Sequence, residues 1–564
     1  MAEIRIELDL PARMRDGTVL RADVYRPGGP GPWPVLLCRL PYGKQTPMMT
    51  AVLDPSAAVR RGFMVVVQDT RGRFASEGEW DPLTYEERDG HDTVRWAAAL
   101  PGSNGAVGMI GGSYFGNTQW MAALSKPPEL KAIAPMITWS DPDDGLWTRG
   151  GAIELGLSVP WTLLQGADTL IRRHSADLDG LVNGITALIQ DFDGLADGGY
   201  GELPAGRFPA FARHDLPELG YERSRREPAW AASTRVAGRH HEVDLPTFQV
   251  GGWYDIFSQG TLDNFTAMRR AGRPATLVMG PWSHTNWRHV VGDVNFGFAA
   301  NSEFMGLRGR LHDLQFDWFR RTLGDGEPPE PDTGQVLLFV MGVNQWREET
   351  EWPLSRAVDT DLHLRADGRL TPEPPSTAEP AEEFTYDPTD PVPTMGGALL
   401  LGGGLLMTDE FPPGPLDQSA VEAREDVLVF TTEALTEDVE VTGRVSVVLF
   451  AATDGPSTDW VARLCDVDEN GVSRNVTDGV VRVRTAAPGE PAEHAVDLWS
   501  TSIVFRAGHR IRVQVTSSNF PRWDRNLNTG EPEHTATTPR TARQRIFHDP
   551  AHPSRIILPV VPPT

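Results

Sequence analysis

The sequence predicts an α/β protein with a mostly parallel sheet, a helical insertion and a separate all-β region. Three observations predict this class. Short, nearly unbroken apolar runs such as Val35–Leu40 and Phe63–Gln68 are typical of strands that are covered on both faces. Helical periods such as Asp89–Ala99 alternate with these runs. Beyond residue 426 the pattern changes to short strands divided by turns, which is typical of an antiparallel sandwich or jelly roll.

The α/β pattern begins with a predicted hairpin, because Ile4–Leu10 and Val19–Tyr25 flank the turn Arg15-Asp16-Gly17. From about 141 to 239, helical periods and Pro/Gly/Arg-rich loops replace the strand pattern. The strand pattern then resumes at Thr247–Gly252. The simplest account is one α/β domain that is interrupted by a mainly helical insertion.

We therefore divide the chain into three domains. They are a split α/β domain at residues 1–140 and 241–352, a helical cap at 141–240 and a β-sandwich or jelly roll at 353–564. We interpret a segment rich in Pro, Glu and Thr, residues 370–383, as a linker. The predicted strands of the last domain are Val427–Thr431, Val445–Ala451, Val461–Val467, Val480–Arg484, His494–Leu498 and Ile511–Ser517.

The composition excludes several classes of protein. The 564 residues are 40% hydrophobic and 23% charged, which is ordinary for a globular chain. With 52 basic and 77 acidic residues, the formal charge of −25 repels phosphate backbones and anionic lipid, so we expect no nucleic-acid or membrane partner. The first residues lack the pattern of a signal peptide, and no window approaches the roughly 18 apolar residues of a membrane span, so we expect a cytoplasmic protein. A homo-oligomer stays open.

The stretch Val107–Gly116 predicts a serine nucleophile. It reads Val-Gly-Met-Ile-Gly-Gly-Ser-Tyr-Phe-Gly and leads into a helix-like run at Asn117–Leu124. A strand that turns sharply into a helix with Ser at the apex is a nucleophile elbow, and flanking glycines remove the Cβ clashes of that turn. The motif departs from G-x-S-x-G, because Phe115 stands where the second Gly is expected. The alternative is a glycine-rich loop with an incidental serine.

A serine nucleophile needs a base and a carboxylate that orients the base. In α/β-hydrolases the chain order is Ser, Asp or Glu, then His, with each residue after a core strand. Here Asp255 follows the strand at Thr247–Gly252, and His284 follows a predicted strand at Ala275–Gly280. Both positions lie at the carboxyl edge of the sheet, so we predict a triad of Ser113, Asp255 and His284.

An oxyanion hole is also required. One donor is expected to be the backbone N–H of Tyr114, directly after the nucleophile. The loop that supplies the second donor reads Arg39-Leu40-Pro41-Tyr42-Gly43-Lys44 and lacks the HGGG pattern of lipases. A tyrosine hydroxyl is able to replace the missing N–H, so Tyr42 is the candidate. The alternative is that Tyr42 only packs.

No metal or cofactor is expected. Cys38 and Cys465 lie in separate apolar runs and are interpreted as buried hydrophobic side chains. The cluster His240-His241-Glu242 is interpreted as a surface loop, because adjacent side chains point in different directions and no other ligand group stands out. Asp69 and Arg71 are interpreted as residues that fix a loop rather than contact substrate.

Motifs shared with one known family run along the whole chain in the same order: Met14–Tyr25, Pro41-Tyr42, Gln68–Arg73, Gly111–Gly116, Gly252–Asp255, Gly280–His284, Phe505–Val513 and Ser518–Arg522. In these motifs the sequence resembles the cocaine-esterase-like and Xaa-Pro dipeptidyl-peptidase family of serine hydrolases. The resemblance implies an α/β-hydrolase domain, a helical cap inserted before the catalytic Asp and a C-terminal jelly roll. It also implies Ser113 as nucleophile, His284 as base and Asp255 as its orienter. The oxyanion hole would be formed by the Tyr42 hydroxyl and the Tyr114 N–H.

Members of this family include esterases, β-lactam acylases, amino-acid ester hydrolases and dipeptidyl-peptidases. Those that act on a free α-amine need carboxylates in the acyl pocket. Here Asp255 is followed by Ile256-Phe257-Ser258, which is apolar and neutral and therefore favours a neutral acyl group.

Phe257, with Trp147 and Trp161 from the cap, is expected to line an apolar or aromatic acyl pocket. The alternative for each tryptophan is packing in the cap core. Phe192 and the run 399–401 are further candidates that the sequence leaves undecided.

The predicted function is that of a serine hydrolase, which cleaves a small-molecule ester or amide through an acyl-enzyme. The alternatives within catalysis are an Xaa-Pro dipeptidyl-peptidase and a β-lactam acylase that acts on glutaryl or cephalosporin substrates. The alternative from another class is a non-catalytic protein whose jelly roll binds glycan.

Overall fold

In the described part of the chain, ten strands between Ile4 and Glu349 form one sheet. The computed structural model describes residues 3–46, 53–324, 336–400 and 411–563. The sheet strands are β1 (Ile4–Arg13), β2 (Val19–Pro27), β3 (Trp33–Leu40), β4 (Met64–Asp69), β5 (Ser103–Gly112), β6 (Leu130–Met136), β9 (Thr247–Tyr254), β10 (Ala275–Ser283), β13 (Val336–Val340) and β14 (Gln345–Glu349). Two-residue strand pairs lie outside it: β7 (Thr148–Arg149) with β8 (Ala152–Ile153), and β11 (Val290–Val291) with β12 (Val294–Asn295).

The strand order is β1-β2-β4-β3-β5-β6-β9-β10-β13-β14. The strands from β4 to β13 in this order run parallel, and the predicted hairpin β1–β2 lies antiparallel at one edge. Every residue of β4 is buried, as its unbroken apolar run predicted. The carboxyl ends of β3, β5, β9 and β10 therefore meet at one edge of the sheet.

Helices cover both faces of this sheet, as predicted. Val35 and Leu37 of β3 face the core that contains the helices Glu86–Ala98, Tyr114–Leu124 and Ser258–Arg270. Leu36 and Cys38 face the opposite core, which contains the helices Pro55–Arg60 and Leu311–Leu323. This alternation follows from the two-residue period of a strand. The helices are α1 (Pro55–Arg60), α2 (Glu86–Ala98), α3 (Tyr114–Leu124), α4 (Leu155–Arg173), α5 (Leu178–Asp193), α6 (Pro209–His214), α7 (Tyr221–Arg226), α8 (Pro228–Ser233), α9 (Ser258–Arg270), α10 (Leu311–Leu323) and α11 (Ser419–Glu422).

The helical insertion lies between two neighbouring strands of the sheet. β6 ends at Met136 and pairs with β9, which begins at Thr247, so the chain between them leaves the sheet and returns to it. Helices α4 to α8 occupy this segment. Helices α4, α5 and α6 share a core that includes Leu155 and Val159, whereas Tyr221 of α7 and Ala231 of α8 belong to a second cluster. None of the helices in the described part of the chain has both the length and the apolar character that a bilayer crossing requires.

The C-terminal part consists of a seven-stranded and a four-stranded sheet, and the strand pairs within them are antiparallel. Four of the six predicted strands lie within longer ones, and the other two, Val427–Thr431 and Ile511–Ser517, each overlap a strand except for one end residue. The strands are β15 (Val358–Leu364), β16 (Leu370–Thr371), β17 (Glu382–Tyr386), β18 (Leu428–Thr431), β19 (Val439–Thr453), β20 (Ser457–Val467), β21 (Ser473–Arg484), β22 (Ala492–Phe505), β23 (Arg510–Thr516), β24 (Ala542–Ile546) and β25 (Arg555–Val561).

The interpretation of residues 370–383 as a linker between domains is wrong. The segment begins in β16, which pairs with β15, and ends in β17, which pairs with β24 of the same sheet. It is therefore a connection inside the β domain. Its Pro and Glu content suits such a connection between strands as well as it suits a linker, so composition alone did not separate the two.

Candidate active site

Ser113 is the single residue between β5 and α3. Its backbone angles are φ 57° and ψ −128°, a strained conformation for a residue with a Cβ atom. A Cβ on Gly111 would lie 2.5 Å from the Phe115 ring, so this glycine makes room for the turn. The predicted elbow is therefore present, with the serine at its apex.

Gly116 explains the departure from the usual motif. A Cβ at this position would lie 2.8 Å from the Cβ of Thr138 and 2.9 Å from the Met136 carbonyl oxygen. A glycine at this position allows the helix to pack closely against the end of β6. It stands one position later than the second Gly of the G-x-S-x-G pattern. Phe115 itself is buried and packs beside Gly111.

His284 lies between the serine and a carboxylate. Its Nε2 is 3.0 Å from Ser113 Oγ, and its Nδ1 is 2.6 Å from Asp255 Oδ1. Asp255 directly follows β9 and His284 directly follows β10, so the parallel pairing of these strands brings both to the same edge. The Asp255 side chain is fully buried, and the Phe257 ring meets the His284 ring edge-on at 5.4 Å. These contacts hold the imidazole in one orientation.

Tyr42 lies in the loop after β3, at the same edge. Its hydroxyl accepts a hydrogen bond of 2.9 Å from the indole N–H of Trp161. Burial raises the pKa of Tyr42 to about 12. The hydroxyl therefore keeps its proton and remains a donor across the neutral and mildly alkaline range.

Tyr114 offers its backbone rather than its side chain to the site. It is the first residue of α3, so its N–H has no acceptor within the helix. Its phenol is held elsewhere, because it donates to Glu86 Oε1 at 3.0 Å and accepts from the Leu83 N–H at 2.8 Å. Burial, and the negative charge of Glu86, raise the pKa of Tyr114 well above its usual value.

An aromatic and aliphatic cluster borders the triad side chains. It includes Phe257, Trp161, Trp139 and Leu400, all buried, together with Tyr114. The structure thus brings Phe257 and Trp161, two of the three predicted pocket residues, beside the site. Leu401, from the candidate run 399–401, lies outside the described residues.

Trp147 belongs to the same cluster but is held by the cap. Its indole N–H donates to the Leu219 carbonyl oxygen at 3.0 Å, and its ring stacks on Trp230 at 5.6 Å. Phe192 packs instead against the separate cap core that contains Leu155. The side chains of Trp147 and Phe192 therefore pack against other residues of the cap.

Sequence reasoning missed two tryptophans near the site. The ring of Trp139 lies 5.1 Å from that of Phe257, and the ring of Trp80 lies 5.8 Å from that of Tyr114. Trp139 follows the end of β6, where side chains collect at the carboxyl edge, so its position in the topology was a usable signal. Trp80 lies in a loop that carries no such signal.

The interpretation of His240 as a surface residue is wrong. Its ring is buried, packs on Trp120 and bonds through Nε2 to Asn264 Oδ1 at 2.8 Å, because α3 and α9 enclose it. His241 is exposed. Both cysteines are buried as predicted, and burial raises the pKa of each thiol to about 12.

Asp69 and Arg71 fix loops, as interpreted. Asp69 accepts hydrogen bonds from the backbone N–H of Lys44, at 2.7 Å, and from its ammonium group, at 3.1 Å. Arg71 forms a bidentate salt bridge with Asp89, in which Nε donates to Oδ2 at 2.8 Å and Nη2 donates to Oδ1 at 2.7 Å. The first of these pairs anchors the loop that carries Tyr42.

Comparisons with known proteins agree with this fold. The family model of the X-Pro dipeptidyl-peptidase (S15 family) matches residues 16–286, and that of the X-Pro dipeptidyl-peptidase C-terminal non-catalytic domain matches residues 331–557. Cocaine esterase of Rhodococcus sp. (strain MB1 Bresler) is 37% identical, over 97% of this chain and 97% of its own.

Two solved structures share the architecture. An α-amino acid ester hydrolase superposes with a TM-score of 0.77 at 26% identity, over 99% of this chain and 96% of its own. An aminopeptidase from the marine sediment archaeon Thaumarchaeota archaeon superposes with a TM-score of 0.81 at 24% identity, over 100% of this chain and 96% of its own. The second likeness shows the fold alone. Taken with the cocaine esterase match, these findings show that the protein is a serine hydrolase of the cocaine esterase-like and X-Pro dipeptidyl-peptidase family.

Proposed function

We propose that the protein hydrolyses carboxylic esters with a neutral, apolar or aromatic acyl group through a triad of Ser113, His284 and Asp255. The observation that carries the proposal is the continuous hydrogen-bond chain from Asp255 Oδ1 through both ring nitrogens of His284 to Ser113 Oγ. Membership of a serine hydrolase family leaves no support for the alternative of a non-catalytic glycan-binding protein.

In the proposed mechanism, Ser113 Oγ attacks the ester carbonyl carbon while His284 Nε2 takes the hydroxyl proton. The negative charge that develops on the carbonyl oxygen is stabilised by the Tyr42 hydroxyl and the Tyr114 N–H. The imidazolium, which Asp255 stabilises, then returns the proton to the leaving alcohol. Water hydrolyses the acyl-enzyme by the same steps, with His284 again acting as the base.

The acyl group is proposed from the residues around the triad. Phe257, Trp161 and Leu400 offer hydrocarbon and ring surface rather than charge. The nearby Glu86 carboxylate is bonded to the Tyr114 phenol and to Arg39, at 3.0 and 3.1 Å, so it is not free to pair with an ammonium group. Against these described residues, a charged acyl group would lose hydration without gaining a charged partner.

A matched series of esters tests this proposal. We expect p-nitrophenyl butyrate to be hydrolysed with kcat/KM at least about tenfold above that of the 2-aminobutyryl and hemisuccinyl esters, which add an ammonium or a carboxylate to a chain of the same length. A serine-directed fluorophosphonate should label Ser113 and fail to label Ser113→Ala.

The same series separates the alternatives. Faster hydrolysis of the 2-aminobutyryl ester or of a Gly-Pro p-nitroanilide would contradict the neutral acyl group and favour a peptidase. Preference for a glutaryl amide would favour an acylase.

Tyr42→Phe is expected to lower kcat on these esters by roughly 10²–10³, because one of the two oxyanion donors is lost while the ring remains. The measurement is kcat and KM on p-nitrophenyl butyrate, with KM expected to change little. Tyr386→Phe is the matched control, since this tyrosine is buried in the β domain and its hydroxyl has no partner among the described residues. Wild-type rates for Tyr42→Phe would remove the hydroxyl from the mechanism.

A further inference from the structure

The loop that carries Tyr42 is in direct contact with the helical cap. Trp161 of α4 bonds to Tyr42 directly, and Gln165, one turn further along the same face of the helix, is linked to the loop through Arg73. We propose that Trp161 is a positioning residue that sets the direction and the strength of the Tyr42 hydroxyl as an oxyanion donor. This inference rests on the proposed function and assigns the cap a part in it.

The direction follows from the chemistry of the two groups. An indole N–H is only a donor, so the 2.9 Å bond from Trp161 Nε1 requires the Tyr42 oxygen to accept. The phenolic proton prefers the plane of its ring and so has two orientations. Because the indole N–H occupies one side of the oxygen, the proton is left the other, where it can serve Ser113 or a substrate oxyanion.

The strength follows from polarisation. A hydroxyl that accepts one hydrogen bond becomes a better donor in the next, by roughly 10–30% per bond. The effect is favoured here because Trp161 is only 7% exposed and the hydroxyl it contacts is buried enough to raise the pKa of Tyr42.

The position of the indole is itself fixed. The Trp161 ring stacks on Tyr114, with centroids 6.1 Å apart and planes at 12°. Tyr114 is the residue whose backbone supplies the other proposed donor. The same cap side chain therefore contacts both residues of the oxyanion hole.

Arg73 makes a second tie between the loop and the same helix. Its Nε donates to the Pro41 carbonyl oxygen at 2.9 Å, and its two terminal nitrogens donate to the Gln165 carbonyl oxygen and Oε1, at 3.1 and 2.8 Å. Pro41 precedes Tyr42, so the loop is held to α4 at two points one helical turn apart. The position of the Tyr42 hydroxyl therefore depends on α4 as well as on the Lys44–Asp69 pair.

The test is a double-mutant cycle of Trp161→Phe and Tyr42→Phe on p-nitrophenyl acetate, whose small acyl group makes little use of the pocket wall. In the wild-type background we expect Trp161→Phe to lower kcat roughly five- to tenfold with KM nearly unchanged, the effect of about one hydrogen bond. In the Tyr42→Phe background we expect no further loss, because there is no hydroxyl left to direct. Equal losses in both backgrounds, or no loss in the first, would overturn the inference.

Two further variants keep the test decisive. Trp230→Phe is the matched control, since it removes another indole N–H bond between the cap and the α/β domain, to Thr84 Oγ1 at 3.0 Å, and should leave kcat unchanged. Incorporation of 3-benzothienylalanine at position 161 keeps the shape of tryptophan without its N–H, so it should reproduce the loss even if Trp161→Phe unfolds. Wild-type kcat for this isostere would also overturn the inference.

The cycle distinguishes failure of the inference from failure of the proposed function. If Tyr42→Phe lowers kcat but the cycle is additive, only the role of Trp161 is wrong. If the fluorophosphonate does not label Ser113, the proposed function is wrong and the inference fails with it.

Discussion

Ser113→Ala is expected to lower kcat for p-nitrophenyl butyrate by a factor on the order of 10⁶, the effect seen when the nucleophile of another serine hydrolase is removed. Without Oγ no acyl-enzyme forms, and a residual acceleration over water of about 10³–10⁴ is expected from the oxyanion hole and substrate binding alone. The measurement is kcat together with the pre-steady-state burst of p-nitrophenol, which should disappear.

Ser125→Ala is the control for this variant. Ser125 caps the other end of α3, where its hydroxyl donates to the Ala122 carbonyl oxygen at 2.6 Å, so its loss tests the helix without touching the site. We expect it to keep the wild-type kcat. A burst that persists in Ser113→Ala would mean that another residue is the nucleophile.

Asp255→Asn is expected to lower kcat by about 10⁴. The 2.6 Å contact requires His284 Nδ1 to carry the proton, which leaves Nε2 free to accept from Ser113. An Asn amide that donates to Nδ1 favours the opposite tautomer, whose Nε2–H cannot act as a base. The measurement is kcat against pH for the wild type and the variant on the same ester, with KM expected to stay within about threefold.

Asp263→Asn is the matched control. Asp263 lies on α9, accepts from Gln259 Nε2 at 2.8 Å and has no contact with the triad residues in the described structure. We expect wild-type kcat from it and an unfolding midpoint in Asp255→Asn that still exceeds the assay temperature. A folded Asp255→Asn with more than about a tenth of the wild-type kcat would show that Asp255 does not orient the base.

Much of the fold followed from the sequence because burial leaves a periodic pattern. β4 is buried along its whole length, so its apolar run was visible, and β1 and β2 flank a turn of the expected type. The ends of the helices and strands were harder to predict from the sequence. Helix α4 continues to Arg173, well past the periodic run seen at 155–164, because its later turns pack on α5 and α6 within the cap.

The proposed triad could be predicted from the sequence for a different reason. Parallel strands place their carboxyl ends at one edge, so residues that follow β5, β9 and β10 are brought together by topology alone. The side-chain contacts around the triad could not be predicted from the sequence. The need for glycine at position 116 depends on Thr138, which only the fold brings beside it. The burial of His240 likewise depends on α3 and α9, which its neighbours along the chain do not reveal.

The sequence by itself therefore determined the α/β class, the helical insertion, the C-terminal sandwich and the order of the candidate catalytic residues. Local periodicity and strand topology carry that information. Only the tertiary structure decided that Trp161 reaches Tyr42 whereas Trp147 bonds to Leu219 in the cap. The physical reason is that such a hydrogen bond joins elements far apart in the chain, and its geometry depends on how the cap packs on the sheet rather than on any spacing in the sequence.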